Sequence, residues 1–128
     1  MKKLSSLLLL LCSLFIFPAK SVEYVYFGFE PDIIANYVAM KKKLGYVRLT
    51  VELMMDDVNN LPIVEHHAPL LRDAIITIIG QQPEDKIRSI RGRNEIKEMC
   101  EEKVKSLLTE ETGQPVIKKI LFTQWLDN

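Results

Sequence analysis

Nucleophilic or metal chemistry in this chain would have to come from Cys100, His66 and His67. A cysteine becomes a nucleophile when a nearby His or other basic group lowers its pKa. Cys100 instead falls on an apolar helical stripe with Ile96 and Val104, the setting of a buried structural thiol. His66 and His67 are adjacent, and neighbouring helical residues point about 100° apart, so the pair cannot share a metal. Chelation from one helix needs i, i+4 spacing, and the positions four beyond are Leu70 and Leu71.

The carboxylate pairs Asp56-Asp57, Glu84-Asp85, Glu101-Glu102 and Glu110-Glu111 fall at helix ends, loops or wet faces. Paired carboxylates for acid–base work need apolar surroundings that push their pKa values apart, and the flanking sequence provides none. Arg88, Arg91 and Arg93 around Gly92 resemble an anion cradle, but Glu84, Asp85 and Glu95 lie close by, which favours a solvated helix start. There is no Gly-rich phosphate loop and no nucleophile elbow. The expectation is no catalytic residue, no metal and no cofactor. A small hydrolase built on Cys100 and the two His is the remaining enzymatic alternative.

Two further features bear on binding. Lys41, Lys42 and Lys43 form a soluble turn, or face lipid headgroups if the chain is held at a membrane. Trp125 is the only Trp and lies near the C-terminus. It either locks the last strand onto the core or forms part of a partner surface.

The elements that must position these residues are few. Of the 128 residues, 1–21 have the layout of a secretory leader. Lys2 and Lys3 are a positive start, and Leu4 to Phe17 form a 14-residue uncharged run. Ala19 and Ser21 then give a small-x-small pattern with cleavage after Ser21. The run is short of the ~20 apolar residues that cross a bilayer, so the rival reading is a short, uncleaved inner-membrane anchor. Either way the rest is exported, since Lys2 and Lys3 stay inside. Cys12 is preceded by Leu11 and sits inside the apolar run, which argues against lipidation.

What remains is about 107 residues, enough for one small domain without a deep cleft. It carries fourteen basic and seventeen acidic residues, a formal charge of −3. Such a domain has no general attraction for nucleic acid or anionic lipid. A hydrophobic content of 48% argues against disorder. The folded part keeps one cysteine and so has no internal disulfide, which suits a bacterial periplasm.

Residues 22–45 read as an extended aromatic lead-in. Val22, Tyr24, Val25, Tyr26, Phe27 and Phe29 precede the break at Pro31, and a second short extended stretch covers 33–38. The domain proper spans 46–128. Val47, Leu49, Val51, Leu53 and Met55 alternate with mostly polar residues, which predicts an antiparallel strand with one wet face. Apolar residues at helical spacing from Ile63 to Ile79 predict a helix ended by Gly80, with a kink or split at Pro69. A short helix is predicted over 83–89, a loop over 89–92, an amphipathic helix over 93–109 and a last strand over 116–126. The class is α+β, a small antiparallel sheet with helices on one face.

Several of these segments match a known pattern. They are the strand Tyr46-Val47-Arg48-Leu49-Thr50-Val51-Glu52-Leu53, the helix Pro69-Leu70-Leu71-Arg72-Asp73-Ala74-Ile75-Ile76, the helix start Gly92-Arg93-x-Glu95-Ile96, and the ending Ile120-Leu121-Phe122-Thr123-Gln124-Trp125. With them, residues 46–128 resemble the flagellar basal-body protein family FliL. The resemblance implies a non-enzymatic protein with a stomatin/band 7-like core, on the periplasmic side of the inner membrane at the flagellar basal body. It implies partners in the motor stator units and basal body, assembly into a homo-oligomeric ring, and a role in rotation, torque, swarming and chemotactic motility. The 14-residue apolar run is shorter than the family's usual anchor, and the aromatic lead-in is stronger. The alternative is a soluble periplasmic binding module or holdase, cleaved near Ser21 and not tied to motility. Arg72 and Asp73, adjacent unlike charges on an apolar helix, are candidate subunit contacts together with Trp125. A contact role for Arg72 predicts that Arg72→Glu impairs swimming while leaving thermal unfolding of the domain nearly unchanged.

Overall fold

The computed structural model describes residues 16–128. Lys2, Lys3, Leu4 and Cys12 lie outside them. Phe17, Ala19 and Ser21 are exposed and belong to no regular element. Among the described residues, no helix is long and apolar enough to cross a membrane.

The sheet is organised around one strand. β3 (Leu44–Met55) alternates strictly, and Val47, Leu49, Val51, Leu53 and Met55 are all fully buried. Because side chains in a strand alternate sides, these five define the core face and their neighbours the open one. β1 (Val25–Gly28) and β2 (Ile33–Val38) both pair antiparallel with β3, one after the other along the same edge. β4 (Lys119–Asp127) pairs antiparallel along the opposite edge. The lead-in is therefore two strands of the sheet, and Phe29, Ile33, Ala35 and Tyr37 from it are buried in the core.

Between β1 and β2 the lead-in has two more residues than β3 opposite them. Gly28 faces Glu52 and Ile33 faces Leu49. Phe29 N–H still donates to the Val51 carbonyl (3.2 Å), so the excursion falls at Glu30 and Pro31, joined by a cis peptide. Two inserted residues preserve the alternation, and the inward face continues from Phe29 to Ile33. Asp32 fastens the return to β3, accepting from Thr50 Oγ1 (3.0 Å) and pairing with Arg48 Nε (3.0 Å).

The helices cover the inward face. α1 (Leu61–Gly80) packs on β2 and β1 and buries Val64, Leu71, Ile75 and Ile79. Pro69 does not split it. A proline inside a helix orphans the carbonyl four residues earlier, here that of Glu65. Both residues are exposed, so water can satisfy that carbonyl, and the expected break does not occur. α2 (Glu84–Arg88) and α3 (Ile90–Thr112) follow with Ser89 alone between them. The expected loop over 89–92 is the first turn of α3, because Ser89 Oγ accepts the Gly92 N–H (3.0 Å) as an N-cap. Gly92 is required where the two helices cross, since an added Cβ would fall on the Lys86 carbonyl. α3 buries Ile96, Cys100, Val104 and Leu108, and ends at Gly113 in the left-handed region (φ 75°).

Arg72, a candidate subunit contact from sequence, has partners within its own chain. Its guanidinium lies over the Phe29 ring (5.4 Å), and donates to the carbonyls of Pro31 (2.8 Å) and Asp32 (3.4 Å). These bonds tie α1 to the excursion in its own chain. Arg72→Ala is therefore expected to destabilise the domain by about 1–3 kcal/mol, read as a lower urea midpoint. A midpoint equal to wild type would show that the excursion holds without it.

Candidate interaction surface

The residues with catalytic potential are not brought together. Cys100 is fully buried in α3, where loss of water pushes its thiol from the ordinary 9.0 up to about 12. It is a thiol at neutral pH and no hydrogen bond joins it to either His. His66 is exposed, and its ring meets that of His67 edge-on (5.0 Å). His67 Nδ1 donates to the Ile63 carbonyl (2.8 Å) within α1. Among the described residues, no group of three His, Cys, Asp or Glu could hold a metal.

The arginines near Gly92 are each matched to a carboxylate. Arg88 pairs with Glu84 (3.1 Å), Arg91 with Glu95 (3.3 Å) and Arg93 with Asp127 (2.7 Å). Arg93 also donates to the Ile87 carbonyl (3.0 Å). This arrangement neutralises the arginines and joins α2, α3 and the end of β4. It leaves no cradle for an anion.

A groove of about 380 Å³ lies between the first half of α3 and β4. Its existence depends on a β-bulge. Thr50 faces Gln124 but Val51 faces Phe122, so Thr123 is one extra residue in β4. A single insertion reverses the alternation. Before it Ile120 and Phe122 face the core side, and after it Trp125 and Asp127 do. Without the bulge Gln124 would lie under α3 in place of Trp125. Phe122 and Trp125 form the apolar floor, with ring centroids 5.7 Å apart. Arg93 lies over the Trp125 ring (5.5 Å) while it holds Asp127. Ile90, strongly exposed, and Lys97 stand on the α3 side. Trp125 Nε1 is the buried side-chain donor that lacks a partner among the described residues.

β4 forms one edge of the sheet, and Glu101 reaches over from α3 to cover part of that edge. Its carboxylate accepts the Ile120 N–H (3.0 Å) and pairs with Lys105 (3.1 Å). Partial burial pushes this carboxyl up. The Ile120 N–H, the Lys105 bond and the charges of Lys105 and Lys97 outweigh that and hold its pKa below the ordinary 4.5.

Of the three residues read as contacts from sequence, Trp125 lies in the groove and Arg72 serves the chain's own excursion. Asp73 is exposed on α1 with no polar partner among the described residues. Lys97 carries no sequence signal of a site, and Arg93 and Glu101 enter it in roles other than the anion cradle and the carboxylate pair weighed from sequence. The spacing of Phe122 and Trp125, three apart within a strand, was the one sequence signal for the bulge.

Residues 26–126 match the family model described as "Flagellar basal body-associated protein FliL". The chain is also 26% identical over 102 residues to the "Flagellar protein FliL" of Aquifex aeolicus (strain VF5). That alignment covers 80% of this chain and 60% of the relative, so the chain spans somewhat under two thirds of the relative's length.

Two measurements check the chemistry of α3. Native Cys100 should resist iodoacetamide at about pH 8 and label rapidly once urea unfolds the chain. Fast native labelling at Cys100, located by peptide mass, would contradict its burial. Because the folded pKa of Glu101 is depressed, its contribution to stability is present above 4.5 and is lost as pH falls through the folded value. Wild type should therefore be more stable than Glu101→Gln at about pH 7, with the gap closing towards about pH 3. A gap that does not change with pH would mean that the charge of Glu101 is not what matters.

Proposed function

This chain belongs to the FliL family of flagellar basal body-associated proteins, and from that premise we propose that it is a non-enzymatic accessory of the flagellar motor. In this reading it associates with the ion-driven stator units at the basal body, on the periplasmic side of the inner membrane. It supports rotation, torque and swarming there, assembled as a ring of identical subunits. The observation that carries the reading is the extent of the family match. Residues 26–126 cover nearly all of the folded unit, from β1 to the end of β4.

The surface chemistry supports a role in contacts. Protein partners recognise exposed apolar patches, open strand edges and desolvated aromatic anchors. This domain offers the Trp125 groove, the exposed Asp73 and the partly covered edge of β4. Residues 1–21 act as a tether in the motor reading.

One observation favours the alternative of a soluble periplasmic binding module or holdase, which needs cleavage near Ser21. The uncovered face of the sheet exposes Ile34, Val38, Leu44, Tyr46 and Leu126 towards one end, an apolar patch of the kind that holds unfolded chains.

Deleting the gene and scoring soft-agar swimming and swarming tests the motor role. Reduced spreading with normal growth is expected, and unchanged motility would overturn it. Fractionating cells that carry a C-terminally tagged copy tests the tether. A full-length membrane species is expected, whereas a shortened soluble species would establish the alternative's topology.

A further inference from the structure

We propose that the groove between α3 and β4 takes an extended, acidic segment of a partner polypeptide, which adds to β4 as a fifth strand. The inference deepens the partner-surface reading of Trp125 and names the chemistry of the partner.

The edge is available. Among the described residues β4 pairs only with β3. The Asn128 N–H donates to Tyr46 on β3 (3.1 Å), and N–H directions alternate along a strand, so those of Trp125 and Asp127 point to the outer edge. The Ile120 N–H also points outward, to Glu101, and by the same alternation so does that of Phe122. Four donors thus face outward along β4, and Glu101 occupies one of them. Phe122, Trp125 and Asp127 leave a stretch of about six residues, roughly 20 Å, for an incoming strand.

The edge also selects for charge. The donor that is satisfied, Ile120 N–H, is satisfied by a carboxylate. Of the two cations that line the groove beside the edge, Arg93 is already paired with Asp127, which leaves Lys97 to meet an incoming charge, and no carboxylate is among the lining residues. Lys97 is in no ion pair among the described residues. Strand addition draws affinity from main-chain hydrogen bonds and specificity from pockets for alternate side chains. Here the apolar floor of Phe122 and Trp125 would receive apolar side chains. Lys97 would meet acidic ones. A basic partner would face Lys97 with like charge.

Trp125 is the only Trp in the chain, so its emission reports directly on the groove. The purified full chain would be titrated with a synthetic peptide of alternating Glu and Val. Two controls would accompany it: the same peptide with Lys for Glu, and the acidic peptide N-methylated at alternate residues on its pairing edge. The acidic peptide should change Trp125 emission saturably and shift the amide resonances of Phe122, Trp125 and Asp127. The Lys peptide should not, and N-methylation should weaken binding by at least about tenfold. Lys97→Gln should weaken the acidic peptide by about two- to fivefold, with only a small fall in its urea midpoint because Lys105 still pairs with Glu101.

No saturable change up to about 1 mM peptide, equal binding of the Lys peptide, or indifference to N-methylation would each overturn the proposal. So would an emission change that tracks dimer formation in light scattering without peptide, which would assign the edge to a second copy. These outcomes are independent of the motility assay. A motile deletion strain would overturn the flagellar reading and leave the peptide result standing. Failed peptide binding with impaired motility would overturn only the groove.

Discussion

The alternation of β3 is the constraint on which the rest of the structure depends. Five of its side chains are fully buried on one face, so a slip of one residue would turn all of them to solvent and bring Arg48, Thr50 and Glu52 inward. No other strand of this sheet touches all the rest. β1 and β2 take their register from one edge of β3 and β4 from the other. The helices then pack on the face that β3 defines.

The two irregularities in the sheet have opposite consequences because one is even and the other odd. The excursion at Glu30 and Pro31 adds two residues, so β2 keeps the phase of β1 and the core runs on without a break. The bulge at Thr123 adds one, so β4 reverses phase and places Trp125 and Asp127 under α3. Each irregularity is held by a helix. Arg72 of α1 bonds the carbonyls of the excursion, and Arg93 of α3 holds Asp127 while covering Trp125. The first closes the core. The second makes the groove at the edge of the sheet.

Among the described residues, the side chains with catalytic potential stand apart from one another or are already paired. Cys100 is buried with its pKa raised, and the arginines near Gly92 face carboxylates. What reaches the surface is suited to contact: an aromatic groove, an edge strand partly covered by Glu101, and an open sheet face with an apolar end.

The alternation from Val47 to Met55 and the helical spacing of Ile75, Ile79, Ile96 and Cys100 are local periodicities, so the sequence by itself determined the central strand, the two long helices and the α+β class. Residue order within its longest segments was also enough for the family resemblance. The sequence could not tell that Pro69 would be tolerated, because the fate of the Glu65 carbonyl depends on which face of α1 meets water. Nor could it show that Ser89 would cap a helix directly after another, which depends on Gly92 allowing the crossing at Lys86. The lead-in gave strand signals but no partner, since its pairing with β3 is set across the sheet. Arg72 looked like a surface charge because the carbonyls it bonds lie about forty residues earlier in the chain. Trp125 could be read as anchor or as contact until the bulge fixed the face it occupies. Tertiary structure decided these points because hydrogen-bond partners and strand phase are set between segments distant in sequence, and no local pattern encodes them.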